Sequence, residues 1–575
     1  MQLVRSIARG AGTRLARRTL SALAGLVAVS TASAQSAEVT LSLVPGAESV
    51  IAHYVLSEPV TTLRFPGGGT VRRKTWKPRG LARLGANGES IEFGTPTKSF
   101  SVELREFARD GEIDRVYSPV ILLGDGRGAE VYSEYLLPKA GGLVRFDDEG
   151  TAFGRRMPKR TVAWRANDSA TYLLVGPQAL QDRPHFSVTF DAATPVWAAR
   201  RIEQVATAAE TFYARRLGAL PTPRPWLLVS HTGTDRPGAT FRGDTNPGMV
   251  RLNLVGRDWA APSPERRVDL DRLVAHELFH LWNGQRRELV DDAEPWLLEG
   301  GADAAARVAL RESRLEDAAE GEAWVEDAFI KCAATPGDTL GQKLANGGRS
   351  YYDCGAAVFF LASSLPTKSG DVVDALTIWS ALLAPGHAES RPSLAKSAAT
   401  TRFIEAVRGT MPADSASTAA GTLLQDLVQS DRPWNQVLEK GRETWRLRRA
   451  GIEDIDNAIF ARNLLDAIVI HAVEKDCHGS ASVGYENQVY QVGSLPECER
   501  IRASMTLTAL EGHAMNTQPG LAARRALAQC AAGQELHFQG RDDEKIALRC
   551  ADDPLSAITT WVPESSSARR ADGSS

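Results

Sequence analysis

The chain has 575 residues, 43% of them hydrophobic and 24% charged. That is the balance of folded protein, at a length that accommodates about three or four domains. A formal net charge of only -3 gives no global field for recruiting nucleic acid or an anionic membrane, so polyanion binding is set aside.

The first 34 residues differ from the rest. Arg5, Arg9, Arg14, Arg17 and Arg18 precede an apolar run from Leu20 to Val29, followed by Ala32-Ser33-Ala34. A basic segment, a short apolar stretch and a small-x-small site read as a secretory signal peptide cut after Ala34. The run falls short of the ~20 residues that span a bilayer, so an exported protein, periplasmic or secreted, is expected, with no membrane span after cleavage. Arg17-Arg18 also loosely resembles a twin-arginine signal, which leaves the export route open. Export gives the cysteines their meaning, because an oxidising compartment favours pairing. Clustering suggests Cys332 with Cys354, and two bridges among Cys477, Cys498, Cys530 and Cys550.

Residues 35–190 show short alternating runs broken by turns, such as Val39–Leu43, Ser99–Leu104 and Thr171–Val175. Period-two alternation with Gly, Pro, Asn and Asp punctuation predicts a β-rich domain, a sandwich. Gly124-Asp125-Gly126-Arg127-Gly128-Ala129 nominally matches a dinucleotide-binding loop. The segment after it is too short and strand-like for the required helix, so a hairpin turn is expected. Residues 191–452 are mixed, then mostly helical. A helix is expected over 196–217, and strands from Pro225 to Ser230 and from Met249 to Val255. Ser263-Pro264-Glu265 opens another helix with a capping side chain, a first-turn proline and an acid at the positive end. Asn283-Gly284 stops it. Over 453–562 strands return at Val489–Val492, Met505–Leu510 and Glu535–Phe538, with a helix from Ala522 to Ala531. The tail, 563–575, reads as disordered. The expected class is multidomain α+β.

The chemistry concentrates in His276-Glu277-Leu278-Phe279-His280. Residues four apart share a helix face, about 5–6 Å between Cβ atoms. Two imidazoles so placed can reach one zinc ion, with Glu277 beside it to take a proton from water. A catalytic zinc needs a third protein ligand and an open position. Glu299 follows after a helix break and a short loop, and supplies that ligand. Asp303 shares its helix face, placed to accept the second ring N–H of a ligand histidine. One zinc ion is the expected cofactor. No G-x-S-x-G elbow or P-loop occurs in the chain.

HExxH followed at this distance by Glu resembles the gluzincin metallopeptidases. His276–Asn283 and Trp296-Leu297-Leu298-Glu299-Gly300 are most similar to the glycyl aminopeptidase family. The alanyl aminopeptidase and leukotriene hydrolase group comes next. Tyr351-Tyr352-Asp353-Cys354-Gly355 resembles the Tyr-Glu-Lys-Gly segment of such enzymes, which implies Tyr352 as the hydroxyl that stabilises the oxyanion, with Tyr351 as the other choice. The resemblance implies a thermolysin-like catalytic domain after the β-rich one. It also implies a small, degenerate PDZ-like α/β module over 453–562 that could take a peptide ligand. Peptide or protein is the implied substrate, with aminopeptidase action as one form.

One departure concerns the Gly-rich strand segment in which these aminopeptidases carry a glutamate for the substrate's amino group. The matching segment here is Gly238–Gly243, with Phe241 where that carboxylate falls and Asp244 as a candidate substitute. Strand Met249–Val255, through Val250 and Leu252, is expected to pair with an extended substrate. A second reading is a catalytically silent zinc protein acting through its end domains. His231, His471 and His478 are read as structural, and Trp282 and Trp296 as packing the floor of the site.

Overall fold

The computed structural model describes residues 36–564 apart from 45–48, 67–72, 107–116, 221–223, 236–237, 285–293, 366–372, 385–397, 479–482, 487–488, 494–497, 504, 542–543, 551–554 and 556–558. The expected signal peptide and the tail past 564 lie outside the described residues. No described helix is long and apolar enough to cross a membrane.

The N-terminal part is built from strands whose alternation sends apolar side chains one way. In Ala37–Leu43, Ala37, Val39 and Leu41 are buried while Glu38 faces solvent. This strand lies in a seven-stranded sheet with the long strands Ser49–Arg64 and Ser90–Arg105. A five-stranded sheet contains Val120–Leu122, Ala129–Tyr132 and Tyr172–Val175. Val39, Tyr54 and Phe100 of the first share one core with Val131 and Tyr172 of the second. Gly124–Gly128 is a hairpin turn, with Leu123 N–H donating to Gly128 O at 2.9 Å and Gly126 at φ 64°. The dinucleotide match has no other content.

A second five-stranded sheet follows, in the order Gln181–Asp182, Ser187–Phe190, Trp226–Thr232, Met249–Val255, Thr240–Asn246. The first two strands fall on the β-rich side of the expected boundary at 190. They join this sheet because Ser187–Phe190 pairs in parallel with Trp226–Thr232 across helix α1 (Val196–Leu217). Alternation within a strand does not say which sheet it enters. One face carries Leu227, Val229, Val250, Leu252 and Leu254 into the helical core. The other sends Trp226, Leu228 and Met249 into the N-terminal core. This sheet is therefore the wall that the two parts share.

Helices α2 (Pro264–Asn283), α3 (Pro295–Glu312), α4 (Ala318–Ala334), α5 (Leu340–Ala345) and α6 (Arg349–Ser363) follow, with α3 packed between α2 and α6, and α4 and α5 also against α6. The Ser263 side chain accepts from Arg266 N–H, and Pro264 opens α2, as its capping residues predict. Between α3 and α6 the backbones almost touch, since a methyl group on Gly300 would overlap Gly355. A disulfide joins Cys332 of α4 to Cys354 of α6, and two more join Cys477 to Cys498 and Cys530 to Cys550. Three bridges suit an oxidising compartment. Replacing Cys332 and Cys354 together by serine is expected to lower the unfolding free energy by about 3 kcal/mol; an unchanged denaturation midpoint would contradict it.

Past 453 the structure contains a helix that the sequence reading lacks, Ala458–Asp476. Ala461, Leu464, Leu465, Ile468, Val469, Ala472 and Val473 are buried at helical spacing, while the apolar Ile459 and Ile470 on the opposite face are only half-buried and blur the contrast between the faces. With Pro519–Ala531 it packs beside a six-stranded sheet that includes Val489–Val492, Met505–Leu510 and Leu536–Gly540. Thr560–Pro563 then pairs with Leu447–Ala450, returning the chain to the helical part.

Candidate metal centre

Helix α2 places His276 and His280 one turn apart, and Glu299 enters from the first turns of α3. His276 Nε2 and His280 Nε2 lie 3.0 Å apart, each 3.3 Å from Glu299 Oε2. These three residues form a group whose ligand atoms lie close enough to hold one metal ion. The opposite ring nitrogens are already committed. His276 Nδ1 is 2.8 Å from Asp303 Oδ1, and His280 Nδ1 is 2.9 Å from Asn283 Oδ1. Asn283 Nδ2 donates to Leu298 O, which fixes the amide so that its oxygen faces the ring. Each imidazole thus donates through Nδ1 and turns its Nε2 toward the other, the nitrogen left to meet a cation. Two such nitrogens 3.0 Å apart beside a carboxylate form a donor set that fits zinc.

The charges tell the same story. Burial works against an imidazolium at His276, but Asp303, Glu299 and Glu277 outweigh it and hold its pKa well above the ordinary value. Burial also opposes the Glu299 carboxylate, yet His280 and His276 more than offset it and keep it well below the carboxylate range. This is a strong field for positive charge.

Glu277 is 8% exposed and stands beside the ligand group. Burial pushes its pKa up, against the pull of His276 and His280. Its Oε2 accepts from the Thr245 hydroxyl at 2.9 Å. Gly243 lies under the same carboxylate, and a methyl group there would overlap it. Thr245 and Gly243 escape a reading of motifs because they reach α2 from a strand some thirty residues earlier. The signal available was a glycine and a small hydroxyl at alternate positions on one strand. Gly243→Ala is expected to displace Glu277 and lower any turnover about 10²-fold with metal content unchanged, since ångström-scale misplacement costs that much. Full activity in this variant would show that the carboxylate position is not critical.

Tyr352, on α6, stacks on the His276 ring, centroids 5.6 Å apart and planes at 23°. Its hydroxyl bonds Glu299, and burial with that contact raises its pKa far above the ordinary phenol. Tyr351 packs against the helical core.

Two expectations are corrected. Met249–Val255 does not present an edge, because Trp226–Thr232 pairs on one side of it and Thr240–Asn246 on the other. Val250 and Leu252 are wholly buried in the helical core. Among the described residues the edges of this sheet are Gln181–Asp182 and, on the side of α2, Thr240–Asn246. Asp244, the proposed substitute for the amine-binding glutamate, faces away from Glu277. Its Oδ2 is 2.5 Å from Arg251 Nη1, and Arg251 also pairs with Glu130 at 2.5 Å. That carboxylate is already counter-charged. Phe241, on the open edge, is 40% exposed.

The remaining residues behave as structure. His231 bridges Ala193 O and Gly256 O. Trp282 donates to Gly218 O and packs edge-on to Tyr213, while Trp296 packs on Phe403. Both are buried in the helical core that carries α2 and α3.

No family model and no curated protein matches this sequence. Solved structures do. An aminopeptidase N family protein from Idiomarina loihiensis superposes with a TM-score of 0.56 at 12% identity, covering 92% of this chain and 98% of that one. The chain has that protein's fold. An M1 zinc metallopeptidase from Deinococcus radiodurans gives a TM-score of 0.39 at 16% identity, over 68% and 92% of the two chains. Yeast LTA4 hydrolase gives 0.40 at 12% identity, over 75% and 76%. These last two likenesses are too loose to argue from.

Proposed function

We propose that this chain is an exported, zinc-dependent metallopeptidase of the gluzincin type that hydrolyses peptide bonds with activated water. The observation that carries the reading is the convergence of two imidazole Nε2 atoms and one carboxylate oxygen, with both outer ring nitrogens already hydrogen-bonded. His276, His280 and Glu299 hold the metal, and Asp303 and Asn283 orient the rings. Zinc, when bound, supplies Lewis acidity toward water and the scissile carbonyl.

The rest falls to the chain's own groups. Glu277 takes a proton from the attacking water and delivers it to the leaving amine. The Thr245 hydroxyl occupies one of its oxygens, which leaves the other for that transfer. The Tyr352 hydroxyl donates to the developing oxyanion. The open edge of Thr240–Asn246 offers backbone N–H and C=O groups to an extended peptide. With Asp244 neutralised by Arg251, no carboxylate on this strand is left for a substrate ammonium, and an uncompensated buried ammonium is costly.

The test is cleavage of matched peptides with free and acetylated amino termini by protein of measured zinc content. Cleavage of both is expected, abolished by a chelator and restored by zinc. Strict preference for free termini would overturn the reading of Asp244, and chelator-resistant cleavage would overturn the metal mechanism.

A further inference from the structure

Phe241, Gly243 and Thr245 project from one face of the open strand, opposite Leu254, Leu252 and Val250. Thr245 and Gly243 meet Glu277. Phe241, two residues along, leaves 40% of its surface in solvent. It does not stand alone. Its ring packs edge-on to Trp259 at 6.5 Å, and Trp259 stacks on Trp197 at 6.0 Å. Trp259 is buried, with its ring N–H donating to Thr240 O at 2.8 Å, and the Trp197 ring N–H donates to Trp259 O at 2.8 Å. The three rings form a shelf in which Trp259 is bonded to the strand and Trp197 to Trp259.

Among the described residues no strand pairs with this outer edge, and Phe241 is the apolar side chain that it leaves partly in solvent. The strand repeat says what would cover it. Alternate side chains on an extended chain are about 6.4–6.8 Å apart, the spacing of positions 241 and 243 on this strand. A peptide that passes Gly243 beside Glu277, paired to this edge, sets a side chain of its own over Phe241. We infer that Phe241, backed by Trp259 and Trp197, is a specificity-determining residue that receives an apolar or aromatic side chain of the extended peptide substrate. This rests on the peptidase reading above. The shelf is continuous with Gly243 and the Glu277 carboxylate, and the only acid in the strand is paired to Arg251. The covering group is therefore an uncharged side chain rather than an ammonium.

The experiment uses zinc-loaded full-length protein and a library of acetylated, amidated decapeptides, with cleavage sites read by mass spectrometry. Wild type is expected to require an apolar residue at one position relative to the cut. Phe241→Ala should lower kcat/KM for the preferred peptides by about tenfold or more and flatten that preference. Phe241→Leu should retain it. In a Glu277→Gln background, Phe241→Ala should weaken binding of the preferred peptide by a similar factor, measured by fluorescence anisotropy. An unchanged preference in Phe241→Ala, with cleavage intact, overturns the subsite and leaves the peptidase standing. Wild type that carries zinc and cleaves nothing in the library overturns the peptidase and the subsite together.

Discussion

Glu277→Gln is expected to lower kcat/KM by about 10³-fold or more while leaving zinc content unchanged, because general acid–base groups contribute up to about 10⁴-fold. The variant is nearly isosteric. A glutamine oxygen can still accept from the Thr245 hydroxyl, so the helix and its hydrogen bonds stay in place. What disappears is the ability to take and return a proton. The metal-ligating group consists of His276, His280 and Glu299 without Glu277, so zinc binding and activity separate cleanly. Activity near wild type would remove Glu277 from the mechanism. Loss of zinc along with activity would place its carboxylate among the ligands instead.

Arg251→Leu carries the largest expected effect on stability. Arg251 and Glu130 are fully buried, and Asp244 is nearly so, with the guanidinium between two carboxylates and 4.9 Å from the Tyr172 ring centroid. Glu130 belongs to Ala129–Tyr132 of the N-terminal part, whereas Arg251 and Asp244 belong to the sheet beneath the site. Removing the arginine strands two acids in the wall that joins the parts. Breaking a buried pair in this way costs about 3–5 kcal/mol, read as a lower urea midpoint. Combining Arg251→Leu with Glu130→Gln and Asp244→Asn should recover much of the loss, because neutral groups pay far less for burial. A midpoint unmoved by Arg251→Leu alone would show that the triad contributes nothing to holding these sheets together.

The site was legible in the sequence where its parts are local. Four-residue spacing puts His276 over His280 and Glu299 over Asp303 on any helix. The caps at Ser263 and Gly284 fix where α2 begins and ends. Contacts between elements were not legible in the same way. Gly243 and Thr245 matter only because their strand lies against α2, and Asn283 read as a helix stop rather than a partner for His280. The choice of edge strand did have a signal. Met249–Val255 carries apolar residues at alternate positions with Arg251 and Asn253 between them, and nearly every one is buried. Thr240–Asn246 is polar and glycine-containing, the composition of an edge. Both strands flank Pro247-Gly248, the turn of their hairpin. Ala458–Asp476 carries a buried stripe at 3–4 spacing opposite Arg462, Asp466 and Glu474, so its signal was available, although Ile459 and Ile470 on the polar side weaken it.

Zinc stoichiometry tests the centre most directly. Purified full-length protein, stripped by chelator and dialysed against micromolar zinc, should retain about one ion per chain by mass spectrometry, and Glu299→Ala or His280→Ala should lose it while circular dichroism stays unchanged. Wild type that retains none, or folded variants that retain as much as wild type, would contradict the assignment of these three side chains to a metal.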